Sequence, residues 1–311
     1  MSAMPWHAEH WQRLQARRER GALPHALLLC GPAGLGKRVF AERFVRGLLC
    51  VQPVGGEACG HCRSCALLAA GSHPDRVAVS YGLRKDGVQR SEIVVDQVRD
   101  LSARLAMSSQ FGGWQVATID PADALNAAAA NALLKTLEEP AAQTMLVLVA
   151  DAPWRLPQTI RSRCQRFEFQ LPEAAAALAW LQTQGVEDGA AALEAAGGNP
   201  GLAQRWSQDG SLARRREVRR DLAALAGGRG ETMEVVRRWL EQEPAQRVWF
   251  AAQAAADEAR ARTAGEPGPL SSALDAIGLL DWHASANRTR ESLRGPLRGD
   301  LALLELLARW R

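Results

Sequence analysis

Four thiols lie close enough along the chain to hold a metal ion. Cys59, Cys62 and Cys65 fall within Cys59-Gly60-His61-Cys62-Arg63-Ser64-Cys65, and Cys50 lies nine positions upstream of Cys59 at the end of an expected helix. Two-residue spacers let backbone amides turn toward the sulfurs, and four thiolates close a tetrahedral shell. Such a shell leaves no open position for water or substrate, so the zinc expected here, one per chain, is structural. His61 is a substitute ligand that four cysteines make unnecessary. Cys30 and Cys164 are left over as small buried hydrophobes.

A second constellation is Gly31-Pro32-Ala33-Gly34-Leu35-Gly36-Lys37, between an expected strand and an expected helix. Gly31, Gly34 and Gly36 allow backbone amides to cradle phosphates, and Lys37 has the reach to meet the terminal ones. The next position of such a loop calls for a Ser or Thr hydroxyl to hold magnesium, and it is Arg38. Downstream, a strand ends in Asp120-Pro121-Ala122-Asp123. Asp120 is the metal-side acid, but Pro121 replaces the glutamate that orients the attacking water in an active ATPase of this type. With hydroxyl and glutamate both missing, the sequence predicts no hydrolysis by this chain alone. The glycines and Lys37 leave two readings: ATP binding without turnover, or a loop that only joins strand to helix.

These groups need a frame, and the hydrophobic pattern supplies one. Ala26–Cys30, Gln115–Asp120 and Met145–Ala150 read as buried strands, with helices expected over Val39–Leu49 and from Ala122 to Glu139, ended by Pro140. Continuous apolar strands alternating with helices predict a parallel sheet covered on both faces. From Leu171 the strands stop: an alanine-rich helix starts at Pro172, Gly197-Gly198-Asn199-Pro200-Gly201 breaks the chain, and helices follow. Their apolar stripes are Leu212, Val218, Leu222 and Leu225, then Met233, Val236, Trp239 and Leu240, then Leu301 to Trp310. The division expected is an α/β domain over 1–169 with the metal module at 50–65, a small helical domain over 170–207 and an all-α domain over 208–311. A chain of 311 residues with 47% hydrophobic and 23% charged residues is core-forming and not disordered. Its net charge of +4 permits contact with nucleic acid without arguing for it. No apolar run spans a bilayer and the amino terminus has no secretory pattern, so a cytoplasmic protein is expected, where clustered cysteines favour metal over disulfide.

Thr159-Ile160-Arg161-Ser162-Arg163-Cys164 completes a series. In order come the phosphate loop, the four-cysteine module, Asn131-Ala132-Leu133-Leu134-Lys135-Thr136-Leu137-Glu138-Glu139-Pro140, and the Ser162-Arg163-Cys164 triplet. That series resembles the clamp-loader subunits of bacterial DNA polymerase III, the gamma/tau and delta-prime proteins, over roughly residues 5–205 and more weakly through the helical tail. The resemblance implies an AAA+ module, a small helical lid and a helical collar that holds a hetero-pentamer together. It also implies that Arg163 is an arginine finger serving the ATP site of an adjacent subunit, a device worth about 10³–10⁵ in rate. Arg38, Pro121 and Pro200 depart from the hydrolysing gamma/tau pattern, and tau carries an extension beyond the collar whereas this sequence stops at Arg311; both point to the delta-prime branch. The partners implied are gamma or tau and the delta subunit, with the beta sliding clamp and primed DNA reached through the complex. The chain would then be a component of a DNA-directed DNA polymerase, a nucleotidyltransferase complex, without catalysis of its own. Two rival readings are an active gamma/tau-type ATPase, which lacks a substitute for the missing groups, and a zinc-dependent nucleic-acid-binding protein. Against the second, the knuckle has few aromatics or lysines around it to stack or pair with bases.

Overall fold

The computed structural model describes residues 4–84, 86–268, 270–293 and 298–310. They divide into two compact units, one running up to Gln204 and one beginning at Arg205.

In the first unit the order is α1 (Ala8–Glu19), β1 (Ala26–Cys30), α2 (Lys37–Leu49), α3 (Arg63–Ala69), β2 (Arg76–Val79), α4 (Val95–Leu105), β3 (Gln115–Ile119), α5 (Ala127–Glu138), β4 (Thr144–Ala150), α6 (Gln158–Arg161), β5 (Gln165–Glu168), α7 (Ala174–Thr183) and α8 (Gly189–Ala195). The strands form one sheet in the order β2-β3-β4-β1-β5, and every pairing is parallel. Alternation along the strands splits the core in two. Leu28, Cys30, Ala117, Ile119, Leu146 and Leu148 pack with Val98, Leu101, Leu133 and Leu137 from α4 and α5. Leu27, Leu29, Val116, Met145, Val147 and Val149 pack with Leu14 from α1 and with Phe40 and Phe44 from α2. Burial on both faces is why β1 and β4 read as unbroken apolar runs.

The expected helix from Ala122 to Glu139 is two elements. Ala122–Ala124 is a 3-10 turn, and α5 begins afresh after Asn126, whose side chain accepts a hydrogen bond from the Ala129 amide at 2.9 Å. An asparagine offering its own oxygen to the first orphan amides makes a stronger helix start than the alanines before it. Two strands went unexpected. β2 is four residues long, and β5, Gln165-Arg166-Phe167-Glu168, is an edge strand with only Phe167 buried.

After α9 (Pro200–Gln208), which carries the chain from one unit into the other, the second unit is all helix: α10 (Ser211–Ala226), α11 (Thr232–Glu241), α12 (Pro244–Thr263), α13 (Ala276–Ser292) and α14 (Gly299–Ala308). Three tryptophans centre its core, each with its indole N–H satisfied: Trp239 by Asp221, Trp282 by the Leu306 carbonyl and Trp310 by the Leu222 carbonyl, all at 2.8–2.9 Å. Of the expected stripes, Val218, Leu222, Leu225, Val236 and Trp239 are buried, but Met233 is exposed, because α11 turns Val235 inward in its place.

Candidate functional site

Parallel strands bring their carboxyl ends to one edge, and the chemistry gathers there. Gly31 follows β1, Asp120 follows β3 and Asp151 follows β4. Lys37, almost wholly buried, donates to the carbonyls of Gly31 at 2.6 Å and Pro32 at 2.7 Å, and its Nζ lies 2.6 Å from Asp151. Two of its donors thus go to carbonyls, and its charge faces Asp151. Burial lowers the Lys37 pKa against the pull of Asp151. Arg38 bridges two carboxylates, its Nε 2.8 Å from Asp120 and its Nη2 3.2 Å from Asp151. Burial opposes its charge, but the bonds to Asp120 and Asp151 prevail and raise its pKa. The guanidinium thus lies between Asp120 and Asp151. Asp123 holds the turn after β4 by accepting the amides of Asp151 and Ala152 at 3.3 and 3.2 Å.

The loop's glycines are packed from outside. Gly34 has φ +90°, and a Cβ on it would meet Asn199 Oδ1 at 2.6 Å; one on Gly201 would collide with the Gly34 carbonyl. Asn199 donates to the Ala33 carbonyl at 2.7 Å. From the other side Trp6 Nε1 and His7 Nε2 both reach the Leu35 carbonyl, at 3.0 and 2.8 Å. Burial lowers the His7 pKa, so the ring is held neutral. Gly31, Gly34, Gly36 and Lys37 therefore lie in a loop whose carbonyls at Gly31, Pro32, Ala33 and Leu35 are engaged by the protein itself, with Asp120 joined to it through Arg38.

The four thiols converge. The sulfurs of Cys50, Cys59, Cys62 and Cys65 all lie within 4.8 Å of one another. Three of the pairs are separated by 3.5, 3.8 and 3.9 Å. Thiolates bonded at about 2.3 Å around a tetrahedral ion sit about 3.8 Å apart, so the donors fit such an ion. Amides of Gln52 and Cys59 point at Cys50 Sγ, and that of Cys65 at Cys62 Sγ, at 3.3–3.4 Å. At Cys62 burial is outweighed by the amide donors and the thiol falls to about 6, whereas burial raises Cys65 to about 12. A bound cation is what turns such unequal thiols into four thiolates. His61 is occupied elsewhere, its Nδ1 2.9 Å from the Cys59 carbonyl.

The module is tied inward by a relay of buried side chains. Ser64 Oγ donates to the Leu49 carbonyl at 2.6 Å and lies 2.8 Å from His73 Nε2, while His73 Nδ1 accepts the Asp75 amide at 3.2 Å. The Asp75 carboxylate then accepts from Ser109 Oγ and the amides of Gln110 and Phe111 at 2.7–3.0 Å. Burial lowers the His73 pKa.

Arg163 is carried on a short ledge after β4. Ile160 and Cys164 on either side of it are buried, and burial pushes the Cys164 thiol up to about 12. Its side chain is 36% exposed; the guanidinium donates to the Thr159 carbonyl at 2.9 Å and pairs with Glu138 at 2.7 Å. Ser162 Oγ shares the Thr159 carbonyl at 3.2 Å. Sequence reasoning quoted Asp123, Glu138 and Asn199 without giving them a role, and missed Asp151. A signal for Asp151 existed: an acid directly after a buried parallel strand lies on the edge where such sheets place their sites.

Residues 6–173 match the family model described as DNA polymerase III, delta subunit. A DNA polymerase III subunit delta' of Pseudomonas aeruginosa is 44% identical over 218 residues, covering 69% of this chain and 64% of that protein. The corresponding Escherichia coli protein is 38% identical over 202 residues, covering 64% of this chain and 59% of its own length. This chain thus spans less than two thirds of either relative. A solved DNA polymerase III gamma subunit-related protein of Thermotoga maritima shares the fold at 15% identity, with a TM-score of 0.50, over 97% of this chain and 99% of that one. The family match covers more than half of the sequence and includes the phosphate loop, the thiol module and the Arg163 ledge: this chain belongs to the DNA polymerase III delta-subunit family.

Proposed function

We propose that this chain is a clamp-loader subunit that hydrolyses no ATP itself and lends Arg163 in trans to the ATP site of a neighbouring subunit. One observation carries the reading: Lys37 is buried against the Gly31 and Pro32 carbonyls and Asp151, and Arg38, standing where a metal-holding hydroxyl is expected, is paired with Asp120 and Asp151. Hydrolysis in such loops depends on the lysine, the metal and an oriented water; here the lysine is engaged by the protein, Arg38 replaces the metal-holding hydroxyl and Pro121 replaces the water-orienting glutamate. Arg163, with Ser162 and Cys164, keeps what a donated arginine needs, a fixed backbone and a partly exposed guanidinium able to spread charge over phosphoryl oxygens. The engagement of Lys37 and the packing of Asn199 against Gly34 support the second reading of the glycines, a joint between strand and helix, over ATP binding.

The rest of the reading follows the family. Residues 1–169 and 170–207 act as the AAA+ module and its lid, and 208–311 as the collar. The partners are gamma/tau and delta subunits in a hetero-pentamer in the cytoplasm, working on the beta sliding clamp and primed DNA. Among the described residues no helix is long and apolar enough to cross a membrane. Cys50, Cys59, Cys62 and Cys65 would hold one structural zinc, since a closed thiolate shell admits no substrate; metal analysis should return one per chain, and zinc retained after all four are changed to serine would remove that assignment. The decisive experiment mixes the chain with gamma/tau-type and delta-type subunits and measures assembly and ATP turnover with Arg163 present or replaced by alanine. Turnover by the isolated chain would defeat the proposal.

A further inference from the structure

The run Asn131–Pro140 has no part in the chemistry described so far, yet it ends in a residue that touches the ledge. Glu138 is the last residue of α5, and its Oε1 lies 2.7 Å from Arg163 Nη2. A carboxylate in the last turn of a helix faces the negative end of the helix dipole, an unfavourable place, so helix stability does not account for it. Resting on the reading of Arg163 as a donated arginine, we propose that Glu138 is its positioning residue, fixing the direction of the guanidinium before the neighbouring ATP site is met.

The geometry is a two-point hold from two different elements. Thr159, on α6, supplies a carbonyl to Nη1 at 2.9 Å, and Glu138, on α5, supplies a carboxylate to Nη2. Beneath them the Arg163 amide bonds the Ile160 carbonyl at 3.1 Å, and Ile160 is wholly buried. An arginine has four flexible torsions, and ordering them at the moment of binding costs entropy that a preformed hold removes. A guanidinium has five N–H donors, so a hold using two leaves others for phosphoryl oxygens. Side chains that fix another residue's rotamer are what keep a reacting constellation within reach of its productive geometry. The pair is half-exposed, its Glu138 side chain at 49% and Arg163 at 36%. Exposed pairs contribute little to folding, so evolution of stability gives no reason for it and its removal leaves the fold standing.

The test uses the reconstituted loader with gamma/tau-type and delta-type subunits. Glu138→Ala should lower kcat for ATP by on the order of tenfold, less than Arg163→Ala, with KM for ATP unchanged, because the arginine acts on the transition state and not on ground-state binding. Glu138→Gln keeps an acceptor oxygen and should recover most of the loss, and thermal unfolding of both variants should match the parent. In an Arg163→Ala background, Glu138→Ala should have no further effect. Wild-type turnover in Glu138→Ala, or a loss that persists in the Arg163→Ala background, overturns the positioning role while leaving the donated arginine intact. Unchanged turnover in Arg163→Ala alone would instead remove the donated arginine, and this inference with it.

Discussion

Two arginines of the first unit are held in different ways. Arg38 follows the phosphate loop and is shared by two carboxylates, Asp120 and Asp151. Arg163 follows β4 by a ledge and has a single carboxylate, Glu138, which is not part of any phosphate site in this chain. Both side chains are partly exposed, at 49% and 36%, so accessibility does not separate them. What separates them is the number and origin of their counter-charges. Arg38 is held by two acids that follow strands of the sheet, Arg163 by one acid at a helix end and one carbonyl.

The largest expected effect breaks that comparison at Arg163. In the assembled loader Arg163→Ala should slow the site it serves by on the order of 10³-fold, read as single-turnover ATP hydrolysis, while the same change in Arg38 should leave turnover at neighbouring sites untouched. Stability should show the reverse order. Arg38→Ala removes the ion pair of Asp120 and leaves Asp151 paired with Lys37, and should cost about 1–2 kcal/mol in denaturant unfolding of the isolated chain, against less than about 1 kcal/mol for Arg163→Ala. Equal costs would show that the two sites are not built differently.

The smallest effect per group concerns protons. Burial lowers the pKa of His7, which braces the loop, and of His73, which braces the metal module. Their unfolded forms take up a proton near pH 6.5 and the folded forms resist it, so the stability they contribute is complete above that pH and is lost as pH falls below it. The slope is at most about 1.4 kcal/mol per pH unit for each ring. His7→Gln should flatten the pH dependence of unfolding between pH 6.5 and 5; an unchanged profile would show that His7 titrates alike in both states.

How legible was this in the sequence? The thiol module and the phosphate loop are local: Cys59, Cys62 and Cys65 fall in seven residues, as do Gly31 to Lys37, and spacing alone specifies their geometry. The two long buried strands were legible too, since burial on both faces writes an unbroken apolar run. β5 was not, because an edge strand buries one residue in four and reads as a charged loop. The closure of the phosphate loop was also out of reach. It depends on Asp151, 114 positions beyond Lys37, and on Asn199, 166 beyond Ala33, which only the fold brings near. The sequence showed which groups were missing; what occupies their place is a long-range fact.

The chain of bonds from the Leu49 carbonyl through Ser64, His73 and Asp75 to the amides of Gln110 and Phe111 has a mechanical meaning. It fastens an insertion with little core of its own to the approach of β3, the strand that delivers Asp120. Loosening at the cysteine end would be felt at the far anchor, so the insertion behaves as a rivet through the edge of the sheet rather than as an ornament on its surface.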